Sequence, residues 1–263
     1  MDKVIKENYV SNLKSLEYCR KLNKMMKDDP TNFHFYLTFL HEVFSSGLCK
    51  GRKLFEIGSG PTIYNVTLAS AYFSNIVLSD LVPDNCEEIR RWLNEQSSLD
   101  WSQFFDFISQ LEGHTGDKLT SRQELESRTR KAVKCVLEFD LLCDFETQLS
   151  VLDSEEVKPP YDTVSAICCL EGICPDFEAF VDSLRKINEI LRPGGTLVVC
   201  SYTNRSVWCL DDKSFNYLHL TLEEVLDAMN RANFRLKYLT VRSVSQQIAS
   251  ENILAYCSVF EKI

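Results

Sequence analysis

The sequence predicts an α/β fold built on a mostly parallel sheet with one antiparallel strand. Short apolar runs alternate with helical patterns from about residue 52 to residue 190, which is typical of a parallel sheet. The chain then ends in two strands with no helix between them, and such a pair is antiparallel. Because the chain has 263 residues, 44% of them hydrophobic, we expect one domain over residues 1–263 with a substantial core.

Each element follows from the spacing of apolar residues. The predicted strands are ~52–57, ~75–80, ~134–140, ~161–169, ~195–202, ~234–243 and ~252–261. The predicted helices between them are ~61–72, ~84–96, ~102–112, ~121–133, ~176–190 and ~221–232. Apolar stripes before residue ~50 also lie at helical spacing. These first helices either cover one edge of the sheet or fold back as a lid over the strand ends, and the pattern alone leaves both open.

Composition and charge exclude several classes of function. The formal net charge is −9, so the chain lacks the basic surface that a nucleic acid requires. The first residues contain no apolar signal segment, and no apolar run approaches the ~20 residues of a membrane span. Eleven cysteines are present, and five of them lie in apolar runs, which predicts buried thiols: Cys135, Cys168, Cys169, Cys200 and Cys257. Reduced thiols predict a cytoplasmic location, and no spacing typical of a metal site occurs.

The most informative local pattern is the stretch from residue 55 to residue 64. An apolar run ends in Gly58-Ser59-Gly60 and a helical pattern follows, which predicts a strand, a tight turn and a helix. Ligands of open α/β sheets bind at the carboxyl ends of strands, where glycine lets the backbone approach them. Asp80 ends the next apolar run, where a carboxylate holds a ribose diol. Together these features predict a nucleoside site.

One position distinguishes between two ligands for this site. Ile63 stands where the dinucleotide fingerprint requires its third glycine, three residues after Gly60. Its presence disfavours an NAD-dependent oxidoreductase, which remains a rival hypothesis. Glu56, two residues before the first glycine, fits an S-adenosylmethionine pocket better. The residues therefore favour a methyl donor.

Further motifs extend the pattern along the chain. They are 56–64, Ser79-Asp80 with Asn85, 91–93, 100–102, 111–113, 169–172, 174–176 and 191–195. In this order they resemble the small-molecule amine methyltransferases that include nicotinamide, phenylethanolamine and indolethylamine N-methyltransferases. The resemblance implies a class I S-adenosylmethionine-dependent methyltransferase sheet (Rossmann-like), with residues 1–50 as an N-terminal helical lid. It also implies S-adenosylmethionine as cofactor, a small-molecule amine as acceptor, no membrane or nucleic-acid partner, and a monomer.

The resemblance implies roles for individual residues. The donor would be bound by Tyr9, Tyr18, Gly58, Ser59, Gly60, Thr62, Tyr64, Asp80, Asn85, Asp140 and Leu141. Asp80 and Asn85 would hold the ribose, while Asp140 and Leu141 would meet the adenine. Glu171 and Tyr18 would be catalytic, and the acceptor would contact Glu171, Ser201, Trp208 and Glu251. Because the amine must be neutral to attack, Glu171 would accept its proton directly or through water. No metal is expected.

Three departures from the family pattern concern the acceptor. Ser201 stands where nicotinamide-type members carry an aspartate, Arg205 stands near an acidic position of the phenylethanolamine type, and Asn23 replaces a second lid tyrosine. The sequence therefore supports neither of these acceptors. Tyr202, with other aromatic residues nearby, either walls an acceptor pocket or packs in the core. A non-catalytic paralogue that binds the donor or an amine remains the alternative function.

Overall fold

Strands and helices alternate as predicted in the part of the chain that the computed structural model describes, residues 2–244 and 252–263. The strands are β1 (Lys53–Ile57), β2 (Asn75–Asp80), β3 (Val133–Glu138), β4 (Tyr161–Ile167), β5 (Leu191–Thr203), β6 (Val207–Leu210), β7 (Lys213–Asn216), β8 (Phe234–Ser243) and β9 (Leu254–Lys262). The helices are α1 (Asp2–Asn12), α2 (Ser15–Asp28), α3 (Thr31–Ser45), α4 (Tyr64–Ala69), α5 (Pro83–Leu93), α6 (Ser102–Leu111), α7 (Lys118–Ala132), α8 (Phe145–Leu149), α9 (Leu170–Ile173), α10 (Phe177–Ile190) and α11 (Leu222–Arg231).

Seven strands form one sheet in the order β3-β2-β1-β4-β5-β9-β8, and β6 and β7 form a separate hairpin. β9 runs antiparallel to both of its neighbours, whereas the pairs among β1 to β5 are parallel. The predicted sheet with one antiparallel strand is therefore confirmed. The strand order reverses between β1 and β4, and the crevice at such a reversal is where open α/β sheets bind ligands.

Helices bury both faces of this sheet. Successive residues of a strand point to opposite faces, so Leu54 belongs to one core and Phe55 to the other, and both side chains are completely buried. Leu37 of α3 and Phe104 of α6 cover the first face, and Leu184 of α10 covers the second. Burial on both faces explains why the central strands are continuous apolar runs.

The N-terminal helices have two different surroundings. α3 packs on the sheet, where Phe33 meets Phe104 of α6 edge to face at 5.1 Å. α1 and α2 instead lie across the carboxyl ends of the strands, because Tyr9 packs against Gly172 and Tyr18 lies beside Gly60. Neither these helices nor any other helix in the described residues has the length and apolar character needed to cross a membrane.

Two sequence expectations need correction. The hairpin β6–β7 was not predicted, because strands of four residues are too short to give a periodic pattern. Of the cysteines expected to be buried, Cys200 and Cys257 are, but Cys135 and Cys169 are half-buried and Cys168 is exposed. β4 ends at Ile167, so Cys168 and Cys169 fall in the turn beyond the strand. No disulfide bond joins any two of the cysteines, all of which lie in the described residues.

Candidate active site

A cavity of about 800 Å³ lies at the carboxyl ends of β1, β2 and β4. Every residue expected to bind the donor lies on its wall: Tyr9, Tyr18, Gly58, Ser59, Gly60, Thr62, Tyr64, Asp80, Asn85, Asp140 and Leu141. Trp208, expected at the acceptor, is also on the wall. The volume is in the range of small-molecule and cofactor sites. The fold thus brings together residues that are far apart in the sequence, such as Tyr9 and Trp208, which are 199 positions apart and form a hydrogen bond.

The glycine turn after β1 forms one side of this cavity. Gly58 and Gly60 have φ angles of +66° and +59°, which side chains rarely adopt. A Cβ on Gly58 would lie 2.4 Å from Sγ of Cys169, so this position excludes any side chain. A Cβ on Gly60 would lie 3.5 Å from the Tyr18 ring, so that glycine leaves space between the turn and α2.

Asp80 holds the turn from the end of β2. Its Oδ2 accepts a hydrogen bond from the Gly60 amide at 2.7 Å, and its Oδ1 accepts from the Val82 amide at 2.8 Å and from Nδ2 of Asn85 at 2.9 Å. Burial raises the pKa of Asp80, and these hydrogen bonds offset the rise only in part. A carboxylate has about four lone-pair positions, so Oδ2 keeps the capacity for one further donor.

Glu56 lies in β1 beneath the turn and is buried. Ser165 donates a hydrogen bond to its Oε2 at 3.2 Å. Burial raises the pKa of Glu56 to about 7. This carboxyl group does not line the cavity, so it lies beneath the turn and not at the ligand side.

Asp140, after β3, is bound by α1 rather than left free. Its Oδ2 accepts a hydrogen bond from Nζ of Lys6 at 2.6 Å, and its Oδ1 accepts from the Leu142 amide at 3.1 Å. Burial raises the pKa of Asp140, but the hydrogen bonds from Lys6 and its neighbours outweigh burial and leave it below its usual value. The Lys6 ion pair therefore ties α1 to the sheet side of the cavity.

Three aromatic side chains on the cavity wall, Tyr9, Tyr18 and Trp208, pack with Phe215 behind them, and these four residues are called the aromatic roof below. Nε1 of Trp208 donates to the Tyr9 hydroxyl at 2.6 Å. Trp208 stacks on Phe215 with ring centroids 4.4 Å apart, and Tyr18 meets the Trp208 ring edge-on at 6.0 Å. The roof therefore joins α1 and α2 to the hairpin β6–β7.

Glu171 and Ser201, which were predicted to bind the acceptor, are not among the side chains that line the cavity, and their contact with the acceptor stays a prediction. Both are completely buried. Ser201 Oγ donates to Oε2 of Glu171 at 2.6 Å, and the Tyr256 hydroxyl donates to Oε1 at 2.8 Å. Ser201 Oγ also shares a 2.6 Å hydrogen bond with the hydroxyl of Tyr217, which lines the cavity. Two hydrogen bonds thus connect Glu171 to the cavity. Glu251 lies outside the described residues.

Lys6 and Tyr36 are among the side chains on the wall that sequence reasoning missed. Lys6 meets Asp140 across 134 positions, and no local pattern indicates such a contact. Tyr36 belongs to an apolar stripe of α3, and such a stripe predicts a core residue. Its hydroxyl group is the feature of the sequence that could have indicated a polar role.

The sheet order, the glycine turn and the carboxylate at the tip of β2 define a class I S-adenosylmethionine-dependent methyltransferase. A solved structure agrees: magnesium protoporphyrin IX methyltransferase from Synechocystis PCC 6803 with bound S-adenosylmethionine superposes with a TM-score of 0.60 at 12% identity. That match covers 100% of this chain and 98% of the other. The predicted fold class is confirmed.

Sequence comparison identifies the family within this class. The model of the NNMT/PNMT/TEMT family matches residues 2–262. Nicotinamide N-methyltransferase of Homo sapiens is 31% identical over 251 residues, covering 94% of this chain and 91% of that protein. Indolethylamine N-methyltransferase of Oryctolagus cuniculus is 32% identical, with 78% and 74% covered. Phenylethanolamine N-methyltransferase of Macaca mulatta is 32% identical, with 77% and 70% covered.

The chain therefore belongs to the NNMT/PNMT/TEMT family. The prediction of an S-adenosylmethionine-dependent N-methyltransferase for small-molecule amines is confirmed at this level. The three relatives carry three different acceptors in their names, so the acceptor has to be sought in the site itself.

Proposed function

We propose that the cavity holds S-adenosylmethionine against the strand ends and a small amine beneath the aromatic roof, and that the protein methylates this amine. The observation that supports the proposal most is that a single cavity is lined both by the glycine turn with Asp80 and by Tyr18, Trp208 and Tyr217. The same wall thus offers a nucleoside site and an aromatic pocket.

The donor side of the wall fits this cofactor in charge and shape. Oδ2 of Asp80 can accept one further hydrogen bond, from a ribose hydroxyl. Hydrogen bonds to a charged acceptor are stronger than those between neutral groups. Gly60 leaves space beneath the Tyr18 ring. The faces of Tyr9 and Tyr18 attract a sulfonium as they attract an ammonium. Asp140 and Leu141 would meet the adenine from the end of β3.

When bound, S-adenosylmethionine supplies an electrophilic methyl group, whose bond to sulfur breaks as its bond to the amine nitrogen forms. The chain contributes alignment, because the turn and the roof hold the two reactants in one cavity. It must also remove a proton from the acceptor, since nitrogen attacks through its lone pair.

The chain Tyr217–Ser201–Glu171 supplies a path for this proton. The Glu171 carboxylate can only accept, so Ser201 donates to it and Tyr217 donates to Ser201. The Tyr217 oxygen also accepts from the Tyr202 amide at 3.3 Å and keeps one lone pair for the amine. A proton given to Tyr217 therefore ends on Glu171. Burial raises the pKa of Glu171, which favours this protonated product.

Kinetics of Glu171→Gln test this path. We expect kcat to fall about a hundredfold or more, the usual contribution of general base catalysis, with the affinity for S-adenosylhomocysteine unchanged. The loss should shrink as the pH rises and the free amine becomes abundant. Tyr256→Phe is the matched control, because it removes the other hydrogen bond of Glu171 and leaves the path intact. Equal losses in turnover and donor affinity, or no loss, would reject this role.

We also propose that α1 and α2 act as a lid, and that residues 1–263 work as one methyltransferase domain, as a monomer in the cytoplasm. Support for the lid comes from its two ties across the cavity, Lys6 to Asp140 and Tyr9 to Trp208. The absence of disulfide bonds among the cysteines, all of which lie in the described residues, suits a reducing compartment. Sedimentation equilibrium of the purified chain tests the monomer.

A further inference from the structure

Arg205 differs from the other cations on the cavity wall because no carboxylate in residues 2–244 or 252–263 pairs with it. Its guanidinium donates from Nε to the Val207 carbonyl at 2.9 Å, and its Nη atoms have no hydrogen bond among these residues. The lysines on the wall each have an acidic neighbour: Lys3 with Glu7 at 3.7 Å, Lys6 with Asp140 at 2.6 Å and Lys21 with Asp211 at 3.9 Å. Arg205 thus retains free donors in the cavity.

Arg205 also lies over two aromatic rings of the cavity wall. Its guanidinium carbon lies 5.1 Å from the centroid of the Tyr202 ring and 5.4 Å from that of Tyr217. Aromatic faces of this kind attract cationic ligands, but here the cation belongs to the chain. A second cation beside it would be repelled, whereas an anion would be attracted. This part of the wall therefore suits a negatively charged group.

A second donor lies beside the same ring. Tyr36 on α3 meets Tyr202 edge-on at 5.9 Å and is only 6% exposed. Its hydroxyl lies close to the Tyr202 hydroxyl and the Cys168 thiol, but neither contact is a well-aligned hydrogen bond. A ligand oxygen would give this buried hydroxyl the well-aligned acceptor that the protein itself does not supply.

We propose that the methyl acceptor is an amine that also carries a carboxylate, and that Arg205 and Tyr36 bind this carboxylate. The forked guanidinium matches a carboxylate in two parallel hydrogen bonds, and the Tyr36 hydroxyl adds a third donor. The acceptor nitrogen then lies on the Tyr217 side of the pocket. This inference rests on the proposed function and adds the substrate class to it.

Matched pairs of amines test the proposal. We would measure kcat/KM for 4-(aminomethyl)benzoate against benzylamine, and for β-alanine against propylamine. We expect the carboxylate to raise kcat/KM at least about tenfold in one pair or both, since hydrogen bonds to charged groups are the stronger ones in proteins. Arg205→Gln should abolish this preference, Arg205→Lys should keep part of it, and Tyr36→Phe should lower it severalfold. Arg235→Gln, at a distant exposed arginine paired with Glu261, should leave it unchanged.

A binding measurement separates this inference from the proposed function. Protein saturated with S-adenosylhomocysteine is titrated with benzoate and with benzamide, in wild type and Arg205→Gln. Tighter binding of benzoate that requires Arg205 supports the inference even if no amine is methylated, in which case the proposed function alone fails. Equal binding of the two probes, no preference in either amine pair, or a preference that survives Arg205→Gln would overturn the carboxylate site.

Discussion

Two parts of the cavity wall are held together in different ways. One is the donor wall, formed by Gly58, Ser59, Gly60 and Asp80, and the other is the aromatic roof. On the donor wall, buried polar contacts join neighbouring strands over short sequence distances: Gly60 and Asp80 are 20 positions apart, and Ser79 and Glu56 are 23 positions apart. The aromatic roof instead depends on contacts between Tyr9 and Trp208, which are 199 positions apart, and on ion pairs at the surface.

This difference indicates which wall is fixed and which can move. Strand ends and a turn with restricted φ angles form as the sheet folds, so the donor wall is set by the backbone. Exposed ion pairs contribute only about 0–1 kcal/mol each, and side-chain contacts between α1 and the hairpin can separate without disturbing the sheet. We therefore expect changes in the donor wall to cost far more than changes in the roof.

The largest effect is expected from Gly58→Ala. Alanine at positive φ costs about 1–2 kcal/mol, and the contact with Cys169 adds about 1–3 kcal/mol of overpacking. Gly113→Ala is the matched control, because Gly113 also has positive φ but has nothing within 4 Å of the added Cβ. Urea denaturation should show that Gly58→Ala loses clearly more unfolding free energy. Equal losses would contradict the rigid donor wall.

The next effect concerns pH. The folded pKa of Glu56, about 7, exceeds its ordinary value of 4.5, so the folded state binds more protons than the unfolded state between these values. Stability should therefore fall as the pH rises through this window, by about 3 kcal/mol for this group. The raised pKa values of Asp80 and Glu171 act in the same direction. Carboxylates whose pKa is lowered in the folded state change the unfolding free energy in the opposite direction, but they titrate at lower pH, below this window.

Glu56→Gln should flatten this dependence of the unfolding free energy between pH 5 and pH 7. Glu189→Gln, at an exposed glutamate, should leave the slope as in wild type. A slope that is identical in all three proteins would show that Glu56 is not held in a buried, uncharged form beneath the turn.

A smaller effect is expected in the roof, from Tyr9→Phe. It removes the acceptor of the Trp208 indole N–H, which costs about 1 kcal/mol. We expect KM for the amine to rise about fivefold, while the affinity for S-adenosylhomocysteine changes less than twofold. Tyr72→Phe at the surface serves as control. A loss confined to donor affinity would assign Tyr9 to the donor wall.

The smallest effect is expected from Lys6→Met. Its ion pair with Asp140 leaves the lysine side chain 48% exposed, so unfolding free energy should change by about 0.5 kcal/mol or less. Denaturation curves of the two proteins should nearly coincide. A loss of unfolding free energy above about 1.5 kcal/mol would mean that α1 is held as firmly as the donor wall. That result would contradict a weakly held roof.

The same difference explains how much the sequence could predict. Gly58, Gly60 and Asp80 belong to local patterns that determine backbone shape, so the turn and the strand tip are visible in the sequence. The partners of the roof meet only after folding, and the short hairpin has no periodic pattern. Glu171 was expected at the acceptor because it matches an acidic position of the resembled family. Its hydrogen bond with Ser201, which forms through the single turn of α9, could not be predicted from that match.

Isothermal titration with S-adenosylhomocysteine, on wild type and Asp80→Ala, tests the central claim most directly. We expect micromolar-range binding by the wild type, weakened on the order of tenfold to a hundredfold in Asp80→Ala, because a charged acceptor at the end of β2 is lost. Circular dichroism on the same samples establishes that both proteins are folded. No binding by folded wild type, or equal binding by both proteins, would contradict a donor site at the strand ends.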